Sequence, residues 1–185
     1  MNEHNVNEIL SQRPLRQKTI GILGGMSNQA TGEYYRMLNK QLNQHLGGWD
    51  NGEIIIASVN FGNIQSFVRE ERWDEAATYL EDKIQRLEAA GVDVIACVSN
   101  TMHRVVEPAM AGRTTPFIHI ADPTGKAMRK AGIGRVALLG TIPVMQSEAL
   151  RKRYCETFGV EAITSNKADK ESIDADISHE GCTSG

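Results

Sequence analysis

Polar side chains cluster in the segment 97–103, directly after a predicted strand. Within this short segment lie a thiol (Cys97), two hydroxyls (Ser99 and Thr101), an amide (Asn100) and an imidazole (His103). Thiol, hydroxyl and imidazole groups serve enzymes as acids, bases and nucleophiles. Plainer interpretations also fit: Asn100 and Thr101 are residue types that cap helices, lone cysteines are usually buried bystanders, and a histidine often belongs to the core. The segment is therefore a candidate catalytic loop that needs support from its surroundings.

Two further loops of the same kind precede predicted helices. Residues 24–31 begin with two glycines, and residues 140–143 combine a glycine, Thr141 and a proline suited to the first turn of a helix. Glycines let the backbone approach a ligand, and the free N–H groups of a helix N-terminus attract an anion. The first loop lacks the lysine of a phosphate-binding Walker loop, which argues against nucleoside triphosphates, and a plain turn with a helix cap is an equally good interpretation. Three such loops together predict a small-anion site.

Alternating strand and helix patterns position these loops. Short β-branched runs predict five strands, at residues 18–23, 53–59, 92–97, 116–120 and 135–139. Apolar side chains at helical spacing predict helices at residues 31–46, 73–90, 100–110, 123–131 and 143–158. This alternation predicts a parallel, doubly wound α/β sheet, in which ligands bind beyond the carboxyl ends of the strands.

A weak internal repeat indicates two lobes. Gly24 and Gly140 each end a β-branched run and precede a helix, although such units are common enough that chance explains the repeat nearly as well. If the repeat is real, the second lobe has too few residues and is incomplete. The predicted organisation is a polar arm (1–17), a first α/β lobe (18–116), a partial second lobe (117–163) and a polar tail (164–185).

Charge and cysteine content exclude several classes of protein. Twenty Lys and Arg against 23 Asp and Glu give a net charge of −3, which provides no basic surface for nucleic acid or for anionic lipid. The apolar runs are too short to span a membrane, and the polar start does not resemble a signal peptide. Three widely separated cysteines suggest neither a disulfide framework nor a zinc site. We expect a cytoplasmic protein with a small-molecule partner and no metal, nucleic-acid or membrane partner.

These loops carry a family resemblance. The chain resembles the aspartate/glutamate racemases, the cofactor-independent amino-acid racemases, from residue 18 to about residue 162. The resemblance rests on motifs that occur in order at family-like spacing: Gly24-Gly-Met-Ser, Tyr34-Tyr35, Leu38-Asn39, Ser58-Val-Asn-Phe61, Ser99-Asn-Thr-Met-His103, His119-Ile-Ala-Asp122 and Leu138-Leu-Gly-Thr141. Each motif alone is unspecific, whereas the set is specific.

The resemblance implies two pseudo-symmetric α/β lobes with the active site between them. It also implies a homodimer that needs no cofactor and acts on a small amino acid or dicarboxylate. Family members remove the α-proton on one face of an amino acid and return a proton on the other, usually with one thiol from each lobe. A thiol serves this purpose when a helix N-terminus lowers its pKa from about 8.5. Motif matching implies substrate binding by Met26, Ser27, Asn100, Thr101 and Thr141.

The chain departs from the family pattern at both catalytic positions. The first catalytic cysteine of the family stands where this chain has Ser99, a hydroxyl that some relatives share. We favour Ser99 over the nearby Cys97 as the equivalent residue, with Cys97 in a packing role. The second cysteine follows a late apolar strand in a Gly-Cys-Thr motif, which Cys182 imitates within a polar segment. Cys182 is thus a doubtful catalytic residue, and we expect its segment to be a surface helix or a mobile tail away from the site.

A further departure bears on the substrate. Family members selective for acidic substrates often carry a basic residue before the second strand, where this chain has Asp50. A carboxylate there repels an acidic side chain, which favours neutral or basic substrates, unless the alignment of this loop is shifted by a residue or two. The departures leave two alternatives to a racemase open: a related decarboxylase or isomerase of small dicarboxylates, and a catalytically weak carboxylate-binding protein.

Overall fold

Strands and helices alternate along the chain in the computed structural model, which describes residues 14–183, with side chains up to residue 177. Residues 1–13 of the predicted polar arm lie outside this range, and residues 14–17 form neither helix nor strand. In chain order the elements are β1 (Ile20–Gly24), α1 (Asn28–Leu46), β2 (Ile54–Ser58), α2 (Phe61–Arg69), α3 (Trp73–Ala89), β3 (Val94–Cys97), α4 (His103–Met110), β4 (Phe117–Ile118), α5 (Ala121–Lys130), β5 (Arg135–Ala137), α6 (Ile142–Met145), α7 (Glu148–Phe158), β6 (Glu161–Ile163) and α8 (Lys167–Thr183).

The strands form two sheets. The larger has the order β2-β1-β3-β4, with β1 parallel to β2 and to β3, so that Ile20 lies opposite Ile54 on one side and Val94 on the other. The smaller sheet pairs β5 with β6, also in parallel. The predicted α/β class with parallel sheets is therefore confirmed, whereas the pseudo-symmetry of two lobes stays a prediction.

Contacts divide the described chain into two compact units. The first comprises the residues up to Val98 together with Ala109–Phe117, and the second comprises Ser99–Pro108 and the residues from Ile118 onward. The core of the first unit packs α3 beside the larger sheet, and its fully buried side chains include Ile22, Leu23, Leu80, Ile84, Leu87 and Ile95. Burying aliphatic side chains of this size contributes about 1.5–3 kcal/mol each, which makes this core the main stabilising feature of the unit.

The second unit has its own core, which packs α5 against α7 beside the smaller sheet. Its buried members are Ala121, Leu150, Tyr154, Phe158, Val160 and Ala162. Gly125 allows the two helices to approach, because a Cβ there would lie 2.3 Å from the ring of Phe158. Gly159 then ends α7 in the left-handed conformation, with φ of 70°.

Several elements differ from the sequence-based prediction. The predicted helix at 143–158 is two helices, because the side chain of Ser147 accepts a hydrogen bond from the N–H of Leu150 and starts a new helix. Helix α2, which Asn60 caps, and the short strand β6 were not predicted. The predicted helix at 100–110 begins at His103, since residues 100–102 form turns instead.

The C-terminal segment is a long helix, α8, which the sequence offered as one of two outcomes. Its described side chains, residues 167–177, are all exposed or half-buried. No helix within the described part of the chain is long and apolar enough to cross a membrane.

Candidate active site

The turn after β1 carries Met26 and Ser27 and belongs to the first unit. Gly25 has a φ of 84°, and a Cβ there would collide with the backbone of Val59, so only glycine fits. The hydroxyl of Thr31 accepts a hydrogen bond from the N–H of Gly25 at 2.9 Å and donates one to the carbonyl of Ser27 at 2.8 Å. These contacts fix the backbone of the turn at the start of α1.

Ser27 itself is the N-cap of α1. Its hydroxyl accepts a hydrogen bond from the N–H of Ala30 at 3.2 Å and lies 3.3 Å from the amide oxygen of Gln29. The side chain of Met26 is buried, with 6% of its surface exposed. The hydroxyl has one proton, which it donates to Gln29, so Ser27 could donate to a substrate carboxylate only by giving up this long contact.

Ser99, Asn100 and Thr101 follow β3 and form the turn that leads into α4, within the second unit. The N–H of Met102 points at the hydroxyl of Ser99 with a donor–acceptor distance of 3.4 Å, which is long for a hydrogen bond. The side chain of Asn100 is exposed and that of Thr101 is half-buried. The structure thus places three of the predicted site residues on one turn at a helix N-terminus, where backbone N–H groups favour an anion.

His103, the first residue of α4, is bonded through both nitrogens of its ring. Nδ1 lies 2.6 Å from the carbonyl oxygen of Ser99, and Nε2 lies 3.1 Å from the N–H of Ile120. A carbonyl only accepts and a backbone N–H only donates, so the proton is on Nδ1 and Nε2 is bare. Burial lowers the pKa of His103 to about 4, and the hydrogen bond to the Ser99 carbonyl offsets this in part.

His119 packs edge-on against His103, with ring centroids 4.3 Å apart. Its Nδ1 accepts a hydrogen bond from the N–H of Ala121 at 3.1 Å, which leaves the proton on Nε2. Burial, followed by the nearby positive charge of Arg153, lowers the pKa of His119 to about 4. Both rings are therefore neutral at pH 7.

Arg153, on α7, joins two carboxylates beside the histidines. Its Nε and one terminal nitrogen contact the two oxygens of Asp122 at 2.6 and 2.9 Å, and its other terminal nitrogen contacts Glu107 at 2.6 Å. The second oxygen of Glu107 lies 3.8 Å from Nε2 of His119. The guanidinium lowers the pKa of Asp122, and the ion pair raises that of Arg153. A half-buried, bidentate pair of this kind is more rigid than a surface salt bridge.

Thr141 precedes α6 in the second unit, but its hydroxyl makes no capping hydrogen bond. The N–H of the next residue, Ile142, donates instead to the carboxylate of Asp174 on α8, at 2.7 Å. The predicted contribution of free N–H groups from this loop is thus reduced, because a carboxylate of the chain itself already accepts from one of them.

The cysteines have different settings. Cys97 is the last residue of β3 and is 2% exposed, in keeping with a packing role, whereas Cys155 is exposed on α7. The backbone of Cys182 belongs to the last turn of α8, and its side chain lies outside the described residues. The Gly-Cys-Thr sequence of this chain therefore stands on a helix and not after a strand.

Sequence reasoning did not assign a role to several groups around the Ser99 turn. His119 and Asp122 carry the resemblance only as part of a motif, and the sequence assigns no role to Glu107 or Arg153. Asp174 counts in the sequence only as one of the charges of the C-terminal segment, whereas the structure brings it to the loop before α6. The spacing of His103 and Glu107, one helical turn apart, was an available signal. Arg153 and Asp174 carry no local signal, because each meets its partner only through the tertiary fold.

Comparison with known proteins gives a consistent result. The model of the Asp/Glu/hydantoin racemase family matches residues 23–184. A Yersinia pestis protein of known crystal structure, assigned as an Asp/Glu racemase, shares 36% sequence identity with this chain. The two structures superpose with a TM-score of 0.81, over 89% of this chain and 71% of that one. An aspartate racemase homologue from Pyrococcus horikoshii is 30% identical, with a TM-score of 0.74 over the same shares. The aspartate racemase of Picrophilus torridus, at 18% identity and a TM-score of 0.67 over 88% of this chain and 74% of that one, shares the fold.

Proposed function

The chain belongs to the Asp/Glu/hydantoin racemase family, and from this membership we propose that it interconverts L- and D-amino acids without a cofactor. One group removes the α-proton as a base, and the electron pair stays on the α-carbon, spread into the carboxylate. A proton donor on the opposite face, solvent water in this proposal, then delivers a proton to the α-carbon. Bonds and charges balance, since one C–H bond is broken and one is formed.

The observation that carries the proposal is the position of Ser99. Its hydroxyl lies in the turn between a parallel strand and a helix, beside the N–H of Met102. Helix N-termini and backbone N–H groups favour negative charge, which supports both the anionic form of the hydroxyl and the carboxylate of a substrate. Ser99 is the acid or base on its face of the substrate in this proposal.

The substrate carboxylate and amino group are held, in this proposal, by polar groups of the second unit, while the predicted roles of Met26 and Ser27 in the first unit stay predictions. Asn100 and Thr101 supply an amide and a hydroxyl from the turn before α4. Thr141 supplies a hydroxyl from the loop before α6. Donors around the carboxylate stabilise the carbanion that develops as the α-proton leaves, as in an oxyanion hole.

The loop before β2 supports a substrate without an acidic side chain. Asp50 in this loop is buried, with 5% of its surface exposed, and Asn43 donates hydrogen bonds to the carbonyls of Gly48 and Asp50 at 2.9 and 3.1 Å. Asn39 holds the same loop by accepting from the N–H of Gly52 at 2.9 Å. These hydrogen bonds hold the backbone of the loop that carries Asp50. Because an acidic residue stands here instead of a basic one, we propose neutral or basic amino acids as the preferred class.

A second candidate function is binding of a small carboxylate with weak turnover. It is favoured by the hydroxyl at Ser99, which is a far weaker acid than a thiol, and by the helical setting of Cys182. A related decarboxylation is a third outcome to be tested, since it needs one acid and not a pair of opposed groups.

The deciding experiment is a screen of common L- and D-amino acids in deuterium oxide. Loss of the α-proton signal by NMR from both enantiomers, with appearance of the opposite enantiomer by chiral chromatography, would support a racemase. Release of carbon dioxide would instead indicate a decarboxylase. Binding of aspartate, malonate or alanine by calorimetry with no exchange would indicate the binding protein and overturn the proposed activity.

A further inference from the structure

We propose that His103 is a positioning residue, which fixes Ser99 for proton transfer by holding its backbone carbonyl. This inference rests on the proposed function, in which Ser99 transfers a proton to or from the substrate. His103 does not touch the substrate in this proposal and acts through Ser99 alone.

The distances show which contact holds the turn. The ring Nδ1 of His103 lies 2.6 Å from the carbonyl oxygen of Ser99, whereas the hydroxyl of Ser99 is 3.4 Å from the N–H of Met102. Hydrogen bonds weaken steeply beyond about 3.2 Å, so the hydroxyl's own contact with Met102 is the weaker of the two. Anchoring the carbonyl restricts the backbone dihedrals of Ser99, and these set the direction of its side chain.

The second nitrogen of the ring ties this turn to another element. Nε2 accepts from the N–H of Ile120, the residue directly before α5, so one imidazole joins the start of α4 to the start of α5. Both contacts lie within the second unit. A ring that is bonded at both ends in this way cannot rotate without losing a buried hydrogen bond, which is unfavourable.

Neighbouring groups keep the ring in place. His103 and His119 are 5% and 4% exposed, and the edge-on contact of their rings leaves little room for a second rotamer. His119 is in turn held by the N–H of Ala121, and Arg153 fixes the carboxylates of Asp122 and Glu107 beside it. Precise placement of a catalytic group depends on such supporting contacts, and a displacement of 1 Å can reduce a rate about 100-fold.

Two substitutions separate the two hydrogen bonds of the ring. His103→Asn places an amide N–H near the position of Nδ1 and keeps the donor to the Ser99 carbonyl, but it cannot reach Ile120. His103→Gln places its amide near the position of Nε2, where its oxygen can accept from Ile120, but it loses the donor to Ser99. The pair thus compares the Ser99 contact with the Ile120 contact at one position.

The positioning role predicts different kinetics for the two variants. We expect His103→Gln to lower the kcat of α-proton exchange roughly 10- to 100-fold, with KM within about twofold of wild type. His103→Asn should rescue most of this loss. Both variants should lose similar stability in urea unfolding, since each loses one buried hydrogen bond. If kcat falls equally in both variants, or follows stability and not the Ser99 contact, the proposal is wrong.

Two further measurements test the positioning role even if the chain proves to have no racemase activity. In wild type, nitrogen-15 NMR should show the proton of His103 on Nδ1 and a bare Nε2. Amide hydrogen exchange, measured by mass spectrometry on peptides that contain residues 99–103, should accelerate in His103→Gln and stay near the wild-type rate in His103→Asn. A proton on Nε2, or equal exchange in both variants, would overturn the positioning role. Absence of turnover with normal results here would overturn the proposed function alone.

Discussion

The carboxylate of Asp174 on α8 accepts a hydrogen bond from the backbone N–H of Ile142, at 2.7 Å, directly after Thr141. An acidic side chain at the start of a helix satisfies an N–H group that otherwise has no partner in the helix and complements the positive end of its dipole. Because this N–H is already used, Thr141 can bind a ligand through its hydroxyl but not through the N–H that follows it. A substitution of Thr141 that removes only the hydroxyl therefore tests the contact that remains available to a ligand.

We predict that Thr141→Val weakens the binding of a small carboxylate such as malonate or aspartate roughly 10- to 100-fold. Valine has the shape of threonine and lacks the hydroxyl, and a lost hydrogen bond to a charged ligand costs about 1.5–3 kcal/mol. Calorimetry with the purified chain measures this effect.

The matched control is Thr114→Val, because Thr114 is exposed in the loop between α4 and β4 and lies in none of the three candidate loops. It should bind the carboxylate as wild type does. Equal weakening in both variants would show that Thr141 is not part of the carboxylate site.

A second prediction concerns the acid–base role of Ser99. Ser99→Cys should raise the rate of α-proton exchange in the direction in which this group acts as base, by roughly tenfold or more, because a thiol with a pKa near 8.5 is far easier to ionise than a hydroxyl. Ser99→Ala should lower the rate about 100-fold, the usual contribution of a positioned acid or base. Solvent deuterium incorporation, followed by NMR, gives both rates.

Ser147→Ala is the control for Ser99→Ala, since Ser147 also accepts from a backbone N–H, that of Leu150, at a helix start. Removing this cap should cost about 1 kcal/mol of stability and leave the exchange rate unchanged. A rate that neither Ser99→Cys nor Ser99→Ala alters would remove Ser99 from the mechanism.

The histidine pair predicts a loss of stability in mild acid. The pKa of His103 is lowered from 6.5 to about 4 in the folded chain, and that of His119 is lowered to about 4 as well. Between pH 6.5 and 4 the unfolded chain therefore binds more protons than the folded chain, so the free energy of unfolding decreases as the pH falls. For His103 alone the decrease from pH 7.5 to pH 5 is about 2 kcal/mol.

Urea unfolding at pH 7.5 and pH 5 measures this difference for the wild type and for His103→Asn. The variant lacks the titrating ring and should show a pH difference smaller by about 2 kcal/mol. His45→Gln, which removes an exposed histidine of α1, is the control and should keep the wild-type difference. A pH difference that His103→Asn leaves intact would show that other groups, such as His119 and Asp122, cause the acid sensitivity.

Most of the fold could be predicted because its strands and long helices carry local signals. The β-branched runs at Ile20–Gly24, Ile54–Ser58 and Val94–Cys97 have the pattern of buried parallel strands, and they pair as such. The three-residue strand β6 has no pattern long enough to recognise, and the break before Glu148 depends on one capping side chain. Short elements of this kind are fixed by tertiary packing and by single hydrogen bonds.

The candidate site was predictable to a lesser degree. The Ser99 turn could be found because its polar residues are adjacent in sequence and follow a strand. The contact of His103 with Ser99 is also local, but the sequence alone favours a core role for this residue. In the structure its ring is both buried and bonded to the turn. Arg153 meets Asp122 and Glu107 only after α7 packs in the second unit, so no sequence pattern indicates the pair.

The last prediction concerns Cys182, which we expect not to line the substrate site despite its Gly-Cys-Thr setting. In the family the second thiol follows an apolar strand, whereas α8 extends through Thr183 and its described residues are exposed or half-buried. Ionised side chains such as those of Asp174 and Asp176 are costly to bury without a partner, which disfavours packing of this segment as a buried strand.

We therefore expect a thiol reagent to label Cys182 quickly, at a rate that aspartate or malonate does not change. The other two cysteines are internal controls for the labelling rate, since the exposed Cys155 should react fast and the buried Cys97 slowly. Mass spectrometry of the labelled peptides separates the three sites. Strong protection of Cys182 by the ligand would contradict the prediction and would make its thiol the acid or base opposite Ser99.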